Sequence, residues 1–256
     1  MRREQSQGNE APSPRHCGIL YLIGVPIGHP DDLTIRALRV LRNVDVIAAK
    51  RPRATEALLS HHGMTSRLTS YDRETADEKV PVLLDYLERG RSIALVSDCG
   101  MPGIYDVGEL LVCAAASRGI AIETIPGPSA CTAGLALSGL SGNSFMFEGA
   151  VPTGCIALQR FVAGVIAGKR TTVVYPRPRQ VKPILKLLAG ASLKKKVILL
   201  KDLTLPGEEV LRGTALALLA EWRPVKDTSQ IVLVIEGRGN KDSTQSCKDH
   251  PCRPSR

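Results

Sequence analysis

The sequence predicts an α/β protein of two domains with mainly parallel sheets, and three observations carry that expectation. Short apolar runs, GILYLIG, VDVIAA, IALVS and IAIETI, alternate with segments whose apolar residues recur at helical spacing. A second alternating set begins with FMFEG and continues through TTVVY, KVILLKD and IVLVIEG. Between the two sets, residues 126–144 are crowded with Gly, Pro and Ser, the composition of a domain junction. Strand–helix–strand alternation places successive strands parallel and covers both faces of the sheet with helices.

Taken in order, residues 1–16 are polar and rich in Pro and Gly and are expected to form a disordered arm. The N-terminal domain is expected over residues 17–126. Its first strand ends at Gly24, and Asp31 or Asp32 is placed to cap a helix with Leu33, Ala37, Leu38 and Leu41 on one face. A helix over 74–89 carries Val80, Leu83, Leu84 and Leu87, and another over 106–117 separates the last two strands. The C-terminal domain, 127–237, is expected to hold helices near 155–168, 180–189 and 208–222. Residues 238–256 are expected to form a disordered tail.

Composition narrows the function classes. The chain of 256 residues carries a formal net charge of +9, a balance that favours acidic partners such as nucleic acid. No apolar run approaches the roughly 20 residues a membrane span needs, and the N-terminus lacks the apolar core of a signal peptide. A cytoplasmic location without membrane contact is expected. Of seven cysteines, Cys99, Cys113, Cys131 and Cys155 lie among apolar or small residues, as buried thiols do. The tail sequence CKDHPC offers at most three soft ligands, too few for a closed tetrahedral zinc site, so no metal is expected. His61 and His62, just before Gly63, suit the end of a helix.

Chemistry is expected in three loops, each following a strand: GVPIGHPDD (24–32), SDCGMPGIYDVG (97–108) and PGPSA (126–130). Ligands of parallel sheets bind beyond the carboxyl ends of strands, which places all three loops at one edge. Glycine there allows positive φ and close backbone approach, while proline fixes the adjoining turn. Such loops can offer main-chain groups to a polar ligand. Neither the dinucleotide fingerprint GxGxxG nor the phosphate loop GxxxxGK[ST] occurs.

LYLIGVPIGHPDDLTIRALRVL, LVSDCGMPGIYDVG, IPGPSA, FMFEG and IVLVIEG stand in an order and spacing that resembles the small-subunit ribosomal RNA 2′-O-ribose methyltransferases of the tetrapyrrole methylase superfamily. The resemblance covers residues 18–237. It implies a class III methyltransferase fold of two α/β domains with S-adenosylmethionine in the cleft between them, a homodimer, and ribosomal RNA or the small ribosomal subunit as partner. By the same resemblance Ile27, Gly100, Met101, Ile104, Ser129 and Ala130 match positions that contact the cofactor. A ribose hydroxyl is a poor nucleophile at neutral pH, so a base or a polarising hydrogen bond would assist it. Asp98, Asp106 and Glu148 are the acidic residues nearest the predicted site. Asp98 could instead bond loop amides, Asp106 could cap its helix, and Glu148 could pair with a basic neighbour. Arg53, Tyr175 and Arg177 are the candidate substrate contacts.

The chain also departs from that family. Lys50, Arg51, Pro52 and Arg53 stand where the family carries a stretch of the type Glu-Asp-Thr-Arg, so two negative charges have become two positive ones. The segment Tyr175 to Gln180, YPRPRQ, replaces a pattern close to Tyr-Glu-Ser-Pro-His-Arg. Met101 stands for the usual threonine, and Val107 interrupts an Asp-Pro-Gly ending. The basic segment after FMFEG is reduced to Arg160, and the polar tail takes the place of a short helical extension. The leading expectation is 2′-O-methylation of a ribose in small-subunit ribosomal RNA. The alternatives are methylation of a tetrapyrrole or other small molecule, and an RNA-binding member without catalysis, for which KRPR and PRPR offer arginine forks to phosphates.

Overall fold

The computed structural model describes residues 17–191 and 194–239. The expected arm, the expected tail from residue 240 onward and the CKDHPC segment lie outside the described residues. The described residues divide into two compact units, one of residues 17–25 and 33–127, the other of residues 26–32, 128–191 and 194–239.

In the first unit, strands β1 (Ile19–Ile23), β2 (Val46–Ala49), β3 (Leu68–Ser70), β4 (Ile93–Val96) and β5 (Ala121–Ile125) are joined through helices. These are α1 (Ile35–Asn43), α2 (Pro52–His61), α3 (Ala76–Glu88) and α4 (Glu109–Ser117). The sheet order is β3-β2-β4-β1-β5, and every neighbouring pair is parallel. Successive side chains of a strand point to opposite faces, which builds two apolar layers. Ile47, Ala49, Ala94 and Val96 join Ala37 and Leu41 of α1 on one face. Ala48, Ile93 and Leu95 join Leu83, Leu84 and Leu87 of α3 with Leu111 and Ala115 of α4 on the other.

Local chemistry sets the helix ends. Thr34, not Asp31 or Asp32, caps α1, its Oγ1 accepting from the Ala37 N–H at 3.1 Å; the two aspartates form a 3-10 turn with Pro30. Pro52 opens α2, where its missing N–H costs nothing. His61 is the last residue of α2 and His62 its C-cap, ahead of Gly63 at φ +63°. The histidine pair thus forms the helix end that its sequence suggests.

The second unit contains α5 (Ala130–Ser138), β6 (Phe145–Ala150), α6 (Cys155–Ala167), β7 (Thr171–Tyr175) and α7 (Pro178–Ala191). It continues with β8 (Lys196–Lys201), β9 (Glu209–Thr214), α8 (Ala215–Glu221) and β10 (Ile231–Ile235). Its sheet order is β6-β7-β10-β8-β9. The α/β class holds, but parallel pairing dominates only in the first unit. Here β6 and β7 are parallel, whereas β10 runs antiparallel to β7 and β8, and β9 antiparallel to β8. The short connection 202–208 between β8 and β9 has no room for a crossover helix, so the chain turns straight back. The helix expected from residue 208 accordingly begins later: the sequence EVLRGT pairs with β8 as an edge strand, and Thr214 caps α8 through the Ala217 N–H.

Among the described residues no helix is long and apolar enough to cross a membrane. Of the four cysteines expected to be buried, only Cys131 is; Cys99, Cys113 and Cys155 are exposed. Small neighbours in sequence do not by themselves decide which helix face or loop side a thiol occupies.

Lys195 shows how the second unit closes a helix end. Its buried ammonium donates to the carbonyls of Val165 (3.3 Å) and Ile166 (3.1 Å), near the C-terminus of α6. Burial pushes its pKa down, while the Glu236 carboxylate opposes that shift. Replacing Lys195 with Met removes a charged donor from two carbonyls that remain enclosed. The expected loss in urea denaturation is about 1–3 kcal/mol; an unchanged midpoint would show that these bonds contribute nothing.

Candidate active site

The carboxyl ends of β4, β1 and β5 lie level, because Ile23 pairs with Val96 on one side and with Ile125 on the other. The loops that leave these strands are therefore neighbours, and their backbones bond to one another. The Gly24 N–H donates to the Ile125 carbonyl at 3.0 Å. Val25 and Gly100 exchange two hydrogen bonds of 2.9 and 3.0 Å, forming an isolated antiparallel bridge. The Ser97 hydroxyl donates to the Gly100 carbonyl at 2.9 Å.

Gly24 and Gly127 make this arrangement possible. A Cβ on Gly24 would stand 2.6 Å from both the Cα and N of Gly127, and a Cβ on Gly127 would stand 2.6 Å from the Gly24 carbonyl oxygen. Backbone cannot give way as a flexible side chain can, so neither position accepts a larger residue without separating the loops. Within 97–108, Gly100 (φ +78°) and Gly103 (φ +81°) take left-handed conformations, and so does Tyr105 at φ +57°. Ile104 and Tyr105 are exposed at this tight loop, presenting apolar surface.

Charge at the same edge is arranged by β2, whose Ala49 pairs with Val96 of β4. The next two residues, Lys50 and Arg51, reach the carboxylates of the 97–108 loop. Lys50 Nζ lies 3.0 Å from Asp106 Oδ1, and Arg51 Nε lies 2.9 Å from Asp98 Oδ2. The carboxylate ends are largely covered and the cations more exposed. Asp106 Oδ1 also accepts from the Val107 N–H at 2.8 Å. Asp98 Oδ1, by contrast, is buried without a hydrogen-bond partner. Although part of the Cys99 residue is exposed, desolvation of its thiol within the crowded loop first, and then the nearby Asp98 and Asp106 carboxylates, push that thiol above its ordinary pKa; such a thiol stays protonated at neutral pH.

The second unit presents its own cluster of predicted residues. Pro26–Asp32 belongs to this unit, and Ile27 is buried with Cys131, Leu135, Val173 and Ile198. Ser129 is the N-cap residue of α5, yet its side chain makes no capping bond. Glu148 sits at the register shift between Phe147 and Gly149 in β6, a bulge that turns its side chain out of the ordinary alternation. Tyr175 packs edge-to-face on Phe147 with ring centres 4.9 Å apart.

The rewritten YPRPRQ segment has a structural use. Gln180 is buried: its Nε2 donates to the carbonyls of Val151 (2.9 Å) and Pro152 (3.1 Å), and its Oε1 accepts from the Arg177 N–H at 2.9 Å. It ties the loop after β6 to the start of α7, while Arg177 and Arg179 point to solvent.

The profile of the Tetrapyrrole (Corrin/Porphyrin) Methylases matches residues 19–218. The chain belongs to this family. Among relatives of this methylase, a ribosomal RNA small subunit methyltransferase I from Halalkalibacterium halodurans is 37% identical over 88% of this chain and 78% of its own length. A protein of the same name from Thermotoga maritima is 32% identical over 86% of this chain and 99% of its own. A solved uroporphyrin-III C-methyltransferase from Thermus thermophilus, complexed with S-adenosylhomocysteine, shares the methylase fold at a TM-score of 0.57. That structure is 19% identical, covering 84% of this chain and 92% of the other.

Of the sequence-predicted residues, the structure brings Gly100, Met101, Ile104, Asp98 and Asp106 together in the first unit, with Arg53 near the start of α2. It places Ile27, Ser129, Ala130, Glu148, Tyr175 and Arg177 in the second. Sequence reasoning missed the partners of the acids. The signal was available: opposite charges directly follow adjacent parallel strands, at 50–51 and at 98.

Two expected outcomes follow from this geometry. Lys50→Glu combined with Arg51→Asp would gather four carboxylates at one sheet edge. The melting temperature should fall on the order of 5 °C at low salt and partly recover near ~0.5 M salt, where charge repulsion is screened. A melting curve that ignores both the substitutions and the salt would refute the pairing. Gln180→Leu leaves three backbone groups without their partner and should cost about 2–4 kcal/mol in urea titration.

Proposed function

We propose that the chain is an S-adenosylmethionine-dependent methyltransferase whose acceptor is the 2′-hydroxyl of a ribose in small-subunit ribosomal RNA. The observation that carries this reading is the edge where Gly24, Val25, Gly100 and Gly127 bring three loops into backbone contact. It stands together with the 32–37% identity to ribosomal RNA small subunit methyltransferases I. S-adenosylhomocysteine in the solved methyltransferase of this fold supports the choice of cofactor.

The residues present fit such a group. Exposed Ile104 beside the left-handed backbone of Gly100 and Gly103 suits a ligand with apolar and polar parts. Within the first unit Gly100, Met101 and Ile104 are the residues assigned to hold it; within the second, taken by itself, they are Ile27, Ser129 and Ala130. Because Ile27 is buried, its contribution would come through its backbone and the placement of its loop. S-adenosylmethionine supplies an activated methyl group, which requires in-line approach of the acceptor oxygen.

The protein's tasks are to hold that oxygen and to deal with its proton. Asp98 is the best-placed acceptor, because Oδ1 has no other partner while Arg51 holds Oδ2. Asp106 is already engaged by Lys50 and the Val107 amide. Arg53, Arg177 and Tyr175 offer phosphate and base contacts, the arginines through guanidinium forks and the tyrosine through its ring. A cytoplasmic homodimer completes the reading.

A second reading, an RNA-binding member without catalysis, is favoured by one observation: Lys50 and Arg51 neutralise the carboxylates at the predicted site. Two measurements separate these readings. Calorimetry should detect S-adenosylmethionine binding, and labelled cofactor incubated with unmodified small ribosomal subunits should leave label in the RNA. Cofactor binding without label in the RNA would favour the tetrapyrrole or other small-molecule acceptor. Absence of both, with RNA still bound, would establish the non-catalytic reading.

A further inference from the structure

The loop 202–208, between β8 and β9, contains two non-glycine residues in left-handed backbone: Asp202 at φ +50° and Thr204 at φ +65°. For a β-branched residue this conformation is a steric outlier, since its Cβ substituents crowd the neighbouring carbonyl. Glycine or asparagine would take the same turn with less strain. Thr204 therefore invites a reason in its side chain.

That reason is visible in the contacts. The His29 N–H donates to Thr204 Oγ1 at 2.8 Å, although the two residues are 175 apart in sequence. A Cβ on Gly28 would stand 2.5 Å from the same oxygen and 2.4 Å from the Leu203 carbonyl oxygen, so the Gly28 backbone lies directly on the 203–204 segment. Ile27, immediately before, is buried beside Leu203.

The loop supporting Thr204 is itself tied by several hydrogen bonds. The Asp202 carboxylate accepts from the Gln230 N–H (2.8 Å) and the Ser229 hydroxyl (3.2 Å), while its own N–H donates to the Gln230 carbonyl. The Thr204 N–H donates to Glu208 Oε2 at 2.7 Å, and the Leu205 N–H to the Asp202 carbonyl at 3.0 Å. These bonds hold the hydroxyl at one position, and the hydroxyl holds residues 27–29.

We propose that Thr204 is a positioning residue for the cofactor: its hydroxyl, fixed by a strained turn that several hydrogen bonds hold, sets the backbone of Ile27, Gly28 and His29 in the conformation that binds S-adenosylmethionine. The inference rests on the proposed use of that cofactor. Thr204 does not touch the reacting atoms; it acts through the first loop. The device is rigid because each end is anchored differently, residues 27–29 by apolar burial and close packing, residues 202–208 by hydrogen bonds.

Three variants in the full chain separate the hydroxyl from the turn. Thr204→Ser keeps the hydroxyl, Thr204→Gly keeps the turn and removes the hydroxyl, and Thr204→Val keeps the shape but not the bond. The readout is the calorimetric Kd for S-adenosylmethionine beside the melting temperature and the KM for small ribosomal subunits. Thr204→Gly and Thr204→Val should each weaken cofactor binding about tenfold, the equivalent of one lost hydrogen bond, with Thr204→Ser within about twofold of the unchanged chain. The KM for subunits should stay constant, and Thr204→Gly should melt within a few degrees of the unchanged protein because it relieves the strained φ. If Thr204→Gly binds the cofactor as tightly as the unchanged chain, Thr204 is not a positioning residue. If the unchanged chain itself fails to bind S-adenosylmethionine, the underlying reading falls, and the inference with it.

Discussion

The contact between Gly24 and Gly127, backbone against backbone, is the constraint on which the candidate site depends. It follows from the register of three parallel strands, which ends β1, β4 and β5 level and forces their loops to share a narrow edge. Ordinary side chains would hold these loops apart, and the Val25–Gly100 bridge would have no partner. With glycine at both positions, the loops become one hydrogen-bonded rim. Such a rim is built from main-chain atoms, held in place by the sheet and not by rotamer choice.

Charge is the second layer. Asp98 and Asp106 lie on a loop whose carboxylates are mostly covered, a costly place for two anions of like sign. Lys50 and Arg51 reach them from the adjacent strand, so the positive charges that look like solvated surface in the sequence compensate specific acids. Their exposure limits what each pair contributes to stability, about 1 kcal/mol or less by the usual behaviour of solvent-facing pairs. Their larger effect is on the site's field: an edge that would carry two bare carboxylates becomes close to neutral, and a polyanionic acceptor meets less repulsion.

Much of the first unit was legible in the sequence. Its central strands β2 and β4 are short apolar runs buried throughout, and the alternation of strands and helices gives parallel order and loop placement together, whereas the edge strand β3 (LTS) is too short and polar to be read from sequence. The second unit was less legible. EVLRGT reads as the beginning of an amphipathic helix because Val210 and Leu211 continue toward Leu216 and Leu218, yet pairing with β8 makes it a strand. No local signal distinguishes the two, since the partner strand decides. The three-loop edge was visible from glycine and proline placement. The contacts across it were not, because Thr204 and His29, or Gln180 and Val151, meet only once the chain has folded. The expected capping by Asp31 or Asp32 failed for a simpler reason: Pro30 draws both into a separate turn and leaves Thr34 at the helix start.

The edge rests on a division between backbone and side chain. A main-chain rim depends on glycine, proline and strand register more than on the identity of the neighbouring side chains; Gly100 makes its bridge to Val25 through main-chain atoms whatever side chains Met101 and Val107 present. Side-chain contacts have no such protection. Lys50 and Arg51 meet the acids across the β2–β4 seam, and Gln180 donates to the loop carbonyls of Val151 and Pro152. Each set of bonds is internal to one unit. The 50–51 segment is thus coupled to the 97–108 loop through both acids, Asp98 held at Oδ2 by Arg51 and Asp106 held at Oδ1 by Lys50, while the bridge between Val25 and Gly100 is made by main-chain atoms alone.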